Sequence, residues 1–241
     1  MTRTNEFGQP VGEPVSGWTP RRPPAPRLLE GRHCSLVALA DADRSRLYDA
    51  VVASAPPQLW TYMSAGPFAD EGAFDDYLDG LAAQTHVLVV RAPTEQGIAC
   101  YWNTSAAHGS TEVGSVTWGP ALQRTAAATE AVALMMGHAF DDLGYRRFEW
   151  KCDALNEPSR RAALRLGFRY EGRFRNAVVY KGRNRDTDWF SVTEAAWPRV
   201  RAALDAWLDP ANFDEQGHQR TPLRARAEGV VSTHERDTAD T

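Results

Sequence analysis

Apolar residues recur along most of the chain at the two spacings that distinguish helices from strands. Those between Phe74 and Leu81 follow an i, i+3, i+4, i+7 spacing, which predicts an amphipathic helix. A longer helical pattern covers residues 124–143, keeps its apolar positions on one face and ends at Gly144, a residue typical of helix C-termini. Shorter patterns predict helices at 41–52, at 158–166 (followed by Gly167) and at 200–208.

Segments rich in β-forming residues alternate with these helices. They predict strands at 33–39, 86–91, 97–103, 112–118 and 147–152, and a long hairpin with arms at 168–180 and 188–193. In chain order the elements read β-α-α-β-β-β-α-β-α-β-β-α. This order indicates an α/β or α+β protein in which helices pack on a mixed sheet.

The folded part is expected to be a single domain at 29–208. Residues 1–28 are rich in proline, glycine and arginine and predict an extended arm, because such a segment cannot build a core. Residues 209–241 are polar and predict a tail that is disordered from His218 onward.

Composition and charge narrow the functional classes. Of the 241 residues 43% are hydrophobic, and the net charge of −4 does not favour nucleic-acid binding. No apolar run approaches the roughly 20 residues that span a bilayer, and the first residues lack the apolar core of a secretory signal. We therefore expect no membrane partner and a cytoplasmic location. The three cysteines are widely spaced, which favours reduced thiols over disulfides or a metal site, so no metal is expected. The oligomeric state, including a homodimer, is left open.

The most informative motif lies around the predicted helix at 158–166. Asn156-Glu-Pro-Ser159 opens the helix, Leu166-Gly167-Phe168 ends it, and Glu171-Gly172 begins the next strand. Helix capping explains part of this pattern, since Asn is a preferred N-cap and Gly a preferred C-terminal residue. Capping does not explain why all three pieces occur together. The combination closely resembles the second half of the GCN5-related N-acetyltransferase (GNAT) family, in the branch similar to ribosomal-protein-alanine acetyltransferases, and the resemblance covers about 30–200.

This resemblance implies a single-domain acyl-CoA N-acyltransferase fold with helices on both faces of a mostly antiparallel, splayed sheet. It implies that acetyl-CoA is the co-substrate. Its acetyl group would pass by direct attack to a primary amine, either a protein N-terminus or a small molecule. The strand ending at Trp118 would separate from the strand at 147–152, and a backbone amide near Thr117 or Trp118 would polarise the acetyl carbonyl. The alternative is a catalytically silent acyl-CoA-binding sensor.

A second group of residues joins the strand at 112–118 to the long helix. The first amides of a helix lack intrahelical acceptors and the helix dipole favours negative charge, so this position suits a pyrophosphate without any metal. In this loop the family usually has Gln/Arg-x-x-Gly-x-Gly/Ala. The similar residues here are Gln123, Arg124, Thr125, Ala126, Ala127 and Ala128, with Thr129 as a further hydroxyl. Ala126 stands where the family usually has glycine, and its methyl group reduces the space in which a phosphate can approach the backbone amides. The simpler interpretation is a helix start rich in alanine for its helix propensity.

Acetyl transfer needs a base for the amine, a donor for the tetrahedral oxyanion and a proton for the leaving thiolate. Glu112 is the first candidate for the base and Glu149 the second, although most strand carboxylates are solvated or ion-paired. Ser159 or Asn156 is expected near the thiolate sulfur. The alternative acids are Tyr170 and Tyr180.

By resemblance, the acceptor pocket forms between the first two helices, their connection and the final hairpin. Its candidate residues are Trp60, Tyr62, Met63, Phe68 and Trp102, and for Trp60 and Tyr62 the alternative is that they cap the core. The hairpin segment 173–185 carries several Arg and Lys residues. These favour either an acidic acceptor or a solvated surface.

Overall fold

The computed structural model describes residues 3–225, which fold around one large sheet. The strands are β1 (Arg3–Thr4), β2 (Pro10–Val11), β3 (Leu28–Glu30), β4 (Ser35–Ala38), β5 (His86–Arg91), β6 (Glu95–Ser105), β7 (Ser110–Trp118), β8 (Arg147–Asp153), β9 (Arg169–Tyr180) and β10 (Arg183–Thr193). The α-helices are α1 (Arg44–Tyr48), α2 (Glu71–Ala82), α3 (Ala126–Gly137), α4 (Glu157–Arg165) and α5 (Trp197–Leu208). Short 3₁₀ turns cover Asp41–Asp43, Pro57–Trp60 and Pro210–Asn212, and π-helical turns cover Asp49–Ala53 and His138–Asp142.

The main sheet has eight strands in the order β3-β4-β5-β6-β7-β8-β10-β9. Every neighbouring pair is antiparallel except β7 and β8, which are parallel. β1 and β2 form a separate small hairpin at the start of the chain. The prediction of a mixed, mostly antiparallel sheet is confirmed.

Helices cover both faces of this sheet. Alternate residues of β5 show the arrangement, because successive side chains of a strand point to opposite faces. Leu88 and Val90 join a core that also contains α3 and α5 residues, whereas Val87 and Val89 join a second core with α1 and α2 residues. The predicted placement of helices on both faces is therefore confirmed. Within residues 3–225 no helix is long and apolar enough to cross a membrane.

The helix predicted at 124–143 begins later than expected. Thr125 is its N-cap, with Oγ1 accepting the Ala128 amide at 3.2 Å. Arg124 has a φ of +63°, outside the right-handed helical region, so it belongs to the preceding loop. The other end agrees with the prediction, since Gly144 has a φ of +66° and follows the π-helical turn that extends α3.

Other predicted elements are present with different bounds. The helix expected at 41–52 is divided into a 3₁₀ turn, the five residues of α1 and a π-helical turn. The second hairpin arm, expected at 188–193, begins earlier at Arg183 because β10 pairs with β9 up to the turn. The final helix, expected at 200–208, begins at Trp197.

The predicted N-terminal arm lies against the domain near the β6–β7 turn. The Trp18 Nε1 donates to the carbonyl of Ala107 at 2.9 Å. Arg21 lies over the Trp18 ring, 4.4 Å from its centroid, and donates to the carbonyl of Gly144 at 3.0 Å. The arm is thus held by a cation–π contact and hydrogen bonds.

The first part of the predicted C-terminal tail packs on the domain. Leu223 and Ala225 are buried in the core that also contains α5. Packed structure therefore continues beyond the predicted domain end at 208, and residues 218–225 do not show the expected disorder. The rest of the predicted tail, 226–241, lies outside the described residues.

Glu130 connects α3 to the turn between β3 and β4. Its buried carboxylate accepts the backbone amides of Arg32 at 2.9 Å, His33 at 2.6 Å and Cys34 at 2.9 Å. Hydrogen bonds to an ionised acceptor are stronger than neutral ones. This single side chain therefore fixes the edge of the sheet to the helix that forms the proposed phosphate site.

We expect Glu130→Ala to lower the free energy of unfolding by about 2–4 kcal/mol, because it leaves three buried or partly buried amides without an acceptor. Urea denaturation measures this change as a lower midpoint. Glu194→Gln is the matched control, since the Arg146–Glu194 pair is exposed and such pairs contribute about 0–1 kcal/mol. Equal effects of the two substitutions would contradict the assigned role of Glu130.

Candidate functional site

The site is built where β7 and β8 part. Among the described residues, their parallel pairing is confined to Ser110–Val113 opposite Arg147–Trp150. A bulge follows in β7, with Ser115 at a φ of +49°. Both strands continue beyond the last pair, so their facing edges are left unpaired. The predicted separation of these strands is confirmed.

A cleft of about 1410 Å³ occupies this gap. One end lies between the 56–64 loop and β6, and the middle runs between the separated parts of β7 and β8. From there it passes the N-termini of α3 and α4 and reaches the segment 213–219. Residues 3–225 contain no cluster of three or more His, Cys, Asp or Glu side chains that could hold a metal ion.

The N-terminus of α3 opens into this cleft. Thr125 Oγ1 accepts the amide of Ala128. The amides of Ala126 and Ala127 lie in the first turn, where no carbonyl of the helix can accept them. The helix dipole adds a partial positive charge at the same point. The cleft is lined by the predicted residues Trp118, Gln123, Arg124, Thr125, Ala126, Ala128 and Thr129.

Two residues predicted for this site do not face the cleft. The Ala127 side chain lies in the core and is 8% exposed, because a helix turns each residue about 100° from its neighbours in sequence. Thr117 is 1% exposed, and its hydroxyl donates to the carbonyl of Ser115 at 3.2 Å. Any contact of these residues with a ligand is therefore limited to their backbone atoms.

Asn156 and Ser159 both line the cleft at the start of α4. The Asn156 side chain accepts the Ser159 amide at 3.2 Å. Asn156 is therefore the N-cap of α4, a position at which asparagine is preferred. Ser159 Oγ accepts the Trp150 indole N–H at 2.9 Å. Because an indole nitrogen only donates, this contact leaves the serine hydroxyl proton available to another acceptor.

The two candidate bases differ in their contacts. Glu112 lines the cleft and uses Oε2 for both of its partners, Lys151 Nζ at 2.9 Å and Asn103 Nδ2 at 2.7 Å. Glu149 lies opposite Glu112 on β8 and has both oxygens occupied, Oε1 by Arg147 at 2.7 Å and Oε2 by Lys151 at 2.9 Å. Glu112 therefore keeps one oxygen free of partners among the described residues, and Glu149 keeps none.

The predicted aromatic residues of the acceptor pocket separate into two groups. Tyr62 and Trp102 line the cleft, and the Trp102 indole donates to Ser115 Oγ at 2.8 Å. Trp60 does not: it is 1% exposed and donates to the carbonyl of Val51 at 3.1 Å. Phe68 and other rings of the second core enclose Trp60, so it lies in the core, which is the alternative given for it above.

Neither alternative acid lines the cleft. Tyr180 donates to Asp153 Oδ2 at 2.7 Å, and burial together with this carboxylate raises its pKa to about 12. Tyr170 is exposed and packs its ring against Phe190 of β10. Of the residues expected near the thiolate, Ser159 and Asn156 thus line the cleft, and the two tyrosines do not.

Several cleft residues were not predicted. Lys151 bridges two carboxylates and lies 3.7 Å from the ring centroid of Trp189. Arg165 ends α4, and the segment 213–219 comes from the predicted tail. Strand alternation could have predicted Lys151, since Glu149 and Lys151 lie on the same face of β8. The sequence of the tail contains no pattern that predicts a wall of the cleft, because its composition is polar.

Comparison with known proteins agrees with this geometry. A family model described as an acetyltransferase (GNAT) domain matches residues 34–169, which is more than half of the chain. The chain belongs to the GCN5-related N-acetyltransferase family, whose members normally use acetyl-CoA as co-substrate.

Solved and curated relatives support this assignment. A GCN5-related N-acetyltransferase from Brucella melitensis is 40% identical, with a TM-score of 0.84 over 87% of this chain and 97% of that chain. A probable GNAT-family acetyltransferase from Chromobacterium violaceum ATCC 12472 is 38% identical, with a TM-score of 0.72 over 79% of this chain and 98% of that chain. An uncharacterized N-acetyltransferase p20 from Bacillus licheniformis is 27% identical over 148 residues, covering 56% of this chain and 80% of that protein.

Cys152 lines the cleft, but we predict that its thiol is unreactive at neutral pH. Burial is the main cause that raises its pKa to about 11. Alkylation by iodoacetamide proceeds through the thiolate, so at pH 8 we expect labelling about 100-fold slower than for a thiol of ordinary pKa. The rate should rise about tenfold per pH unit as pH approaches 11. Peptide mass spectrometry measures the rate, with the urea-unfolded chain as control. Equal rates in the folded and unfolded chains at pH 8 would contradict this.

Proposed function

We propose that this protein transfers the acetyl group of acetyl-CoA to a primary amine by direct attack. The observation that carries the proposal is one continuous cleft that joins the N-terminus of α3 to the carboxylate of Glu112 through the gap between β7 and β8. Membership of the GNAT family supports the same donor.

The proposal assigns the pyrophosphate, the pantetheine arm and the thioester of acetyl-CoA to successive parts of the cleft. Its pyrophosphate suits the first amides of α3, where Thr125 and Ala126 line the wall. The pantetheine arm is an extended chain with amide groups, and it suits the unpaired edges of the separated strands. On this placement the thioester lies between the bulge of β7 and the start of α4. Ser159 and Asn156 are located there.

The proposed reaction proceeds through a tetrahedral intermediate. The neutral amine attacks the thioester carbonyl carbon, and a backbone amide near Thr117 or Trp118 donates to the oxyanion that forms. Collapse breaks the carbon–sulfur bond and releases the thiolate of coenzyme A. The Ser159 hydroxyl is oriented by Trp150, and either it or the Asn156 amide donates a hydrogen bond to that sulfur. The proton that the amine nitrogen loses passes to Glu112, and solvent returns a proton to the thiolate. Positioning of the two reactants supplies much of the rate.

Glu112 is the proposed base, directly or through a water molecule. It lines the cleft and has one carboxylate oxygen without a partner among residues 3–225, whereas Lys151 and Asn103 fix the other. A base that is held in one orientation contributes more than a mobile one, because the proton must pass along a hydrogen bond. Glu149 remains beside it as the second partner of Lys151.

The acceptor is proposed to enter between the 56–64 loop and β6. Leu59, Tyr62, Met63 and Trp102 give this end of the cleft an apolar wall, and Glu112 lies beyond it. An amine carried on an apolar or aromatic group fits this combination. Both a protein N-terminus with such a first residue and a small arylalkyl amine meet this description.

We expect acetyl-CoA at about 100 times its Kd to raise the Tm by about 5–10 °C, because it binds the folded state alone. Ala126→Glu should remove this rise, since the added carboxylate repels the pyrophosphate. Glutamate in the first turn of a helix favours folding, so the unliganded Tm should change little. Differential scanning fluorimetry measures both effects.

Ala177→Glu is the control for the added charge, because Ala177 is exposed on β9 and lies outside the cleft. It should keep the full rise in Tm. If millimolar acetyl-CoA leaves the Tm of the unmodified protein unchanged, the proposed use of acetyl-CoA is wrong.

Glu112→Gln should lower kcat by about 10²–10⁴-fold, because it removes the proposed general base. The affinity for acetyl-CoA should change little, since Glu112 lies at the acceptor end of the cleft. Release of the thiol in the presence of an amine panel measures turnover, and calorimetry measures binding.

Glu149→Gln is the matched control. It removes a carboxylate from the same Lys151 and leaves the free oxygen of Glu112 in place. A loss in kcat of at most about tenfold is expected. Equal losses for the two variants would exclude Glu112 as the particular base. Tight acetyl-CoA binding without turnover across the amine panel would favour the silent sensor.

A further inference from the structure

The cleft continues past the start of α3 to a basic and aromatic end formed by Arg165, Trp207 and Phe213. The Arg165 guanidinium lies over the Trp207 ring, 4.6 Å from its centroid, and donates to Thr129 Oγ1 at 3.0 Å. Thr129 is one turn along α3 from the capping residue Thr125. This end of the cleft therefore adjoins the proposed pyrophosphate site.

Arg165 differs in its partners from the other arginines of α4. Arg160 pairs with Glu157 and Asp188, and Arg161 pairs with Glu157 at 3.6 Å. Within residues 3–225 no carboxylate lies within salt-bridge distance of Arg165, and burial lowers its pKa. An arginine stays charged even so. A half-buried cation that faces a cleft and has no carboxylate partner among these residues is suited to an anionic ligand group.

The aromatic part of this end is held in place by the C-terminal segment. Trp207 Nε1 donates to Gln219 Oε1 at 2.9 Å, and its ring contacts Phe213 edge-on at 5.2 Å. Phe213 in turn pairs with Gln219 through an isolated β-bridge. The segment 213–219, with His218 at the cleft, thus forms a fixed wall beside the guanidinium.

The spacing fits one ligand group in particular. One turn of helix, from Thr125 to Thr129, advances by about 6 Å. In coenzyme A a single ribose ring separates the pyrophosphate from the 3′-phosphate, which is a comparable span. A phosphate monoester offers three acceptor oxygens to a guanidinium.

We propose that Arg165 binds the 3′-phosphate of coenzyme A, with the segment 213–219 as the wall that faces the adenosine. This inference rests on the proposed use of acetyl-CoA. It assigns to Arg165 the selection of the phosphorylated cofactor over its 3′-dephospho form, and to the C-terminal segment a contact with the adenosine that both forms share.

Calorimetry with coenzyme A and with 3′-dephospho-coenzyme A, at one fixed ionic strength, tests the proposal. The unmodified protein should bind coenzyme A about tenfold more tightly than the dephospho form. Arg165→Gln should bring the two dissociation constants to within about twofold, by weakening coenzyme A while leaving the dephospho form unchanged. Arg165→Lys should keep part of the preference, because it retains a point charge without the fork geometry.

Arg199→Gln is the control, since Arg199 is exposed on α5 and lies outside the cleft. It should keep the full preference for coenzyme A. Loss of the preference in Arg161→Gln but not in Arg165→Gln would overturn the assignment of Arg165.

The remaining outcomes separate this inference from the proposed function. Equal binding of both compounds to the unmodified protein would overturn the 3′-phosphate site and leave acetyl-CoA as donor. An equal weakening of both compounds by Arg165→Gln would also overturn it, because Arg165 would then contact the shared pyrophosphate. Binding of neither compound would overturn the proposed function, and this inference with it.

Discussion

The separation of β7 from β8 is the constraint on which the site depends. The two strands are the sole parallel pair of the described sheet, and they stay paired over Ser110–Val113 alone. The bulge at Ser115 then turns β7 away while β8 remains antiparallel to β10. Since a β-strand exposes its hydrogen-bonding groups where it loses a partner, the gap provides polar backbone edges for an extended ligand. Both helix N-termini that line the cleft follow directly from these strands.

Charged side chains cluster at the point where β7 and β8 separate. Lys151 lies on β8 one residue beyond the last pair and contacts Glu112 and Glu149, which face each other across the strands. Two carboxylates at adjacent strand positions repel, and a shared ammonium compensates them. Trp189 covers the ammonium from the next strand. The network therefore holds Glu112 in one orientation at the point where the strands open.

Local patterns predicted the elements well and the side-chain directions less well. Glycine positions such as Gly144 and Gly167 have the positive φ that a helix C-terminus requires, so helix ends could be identified from residue type. The direction of Trp60 depends on rings that approach from α2 and the 61–68 loop, and no local pattern contains that information. Ala127 is different: its neighbours on both sides face the cleft, and helical periodicity alone places it toward the core.

Helix α4 links the chemical end of the cleft to its phosphate end. Asn156 and Ser159 stand at its start, and Arg165 stands at its end. Nine residues of helix span about 13 Å, so a single rigid element sets the distance between the residues proposed beside the thiolate and the Arg165 guanidinium. Trp207, which lies under the Arg165 guanidinium, is held by residues of segment 213–219. That segment is polar, and its sequence shows no helix or strand pattern. The composition of segment 213–219 therefore did not predict that it forms a wall of the cleft. Its ordered structure comes from contacts with α5 and not from the secondary-structure propensities of its residues.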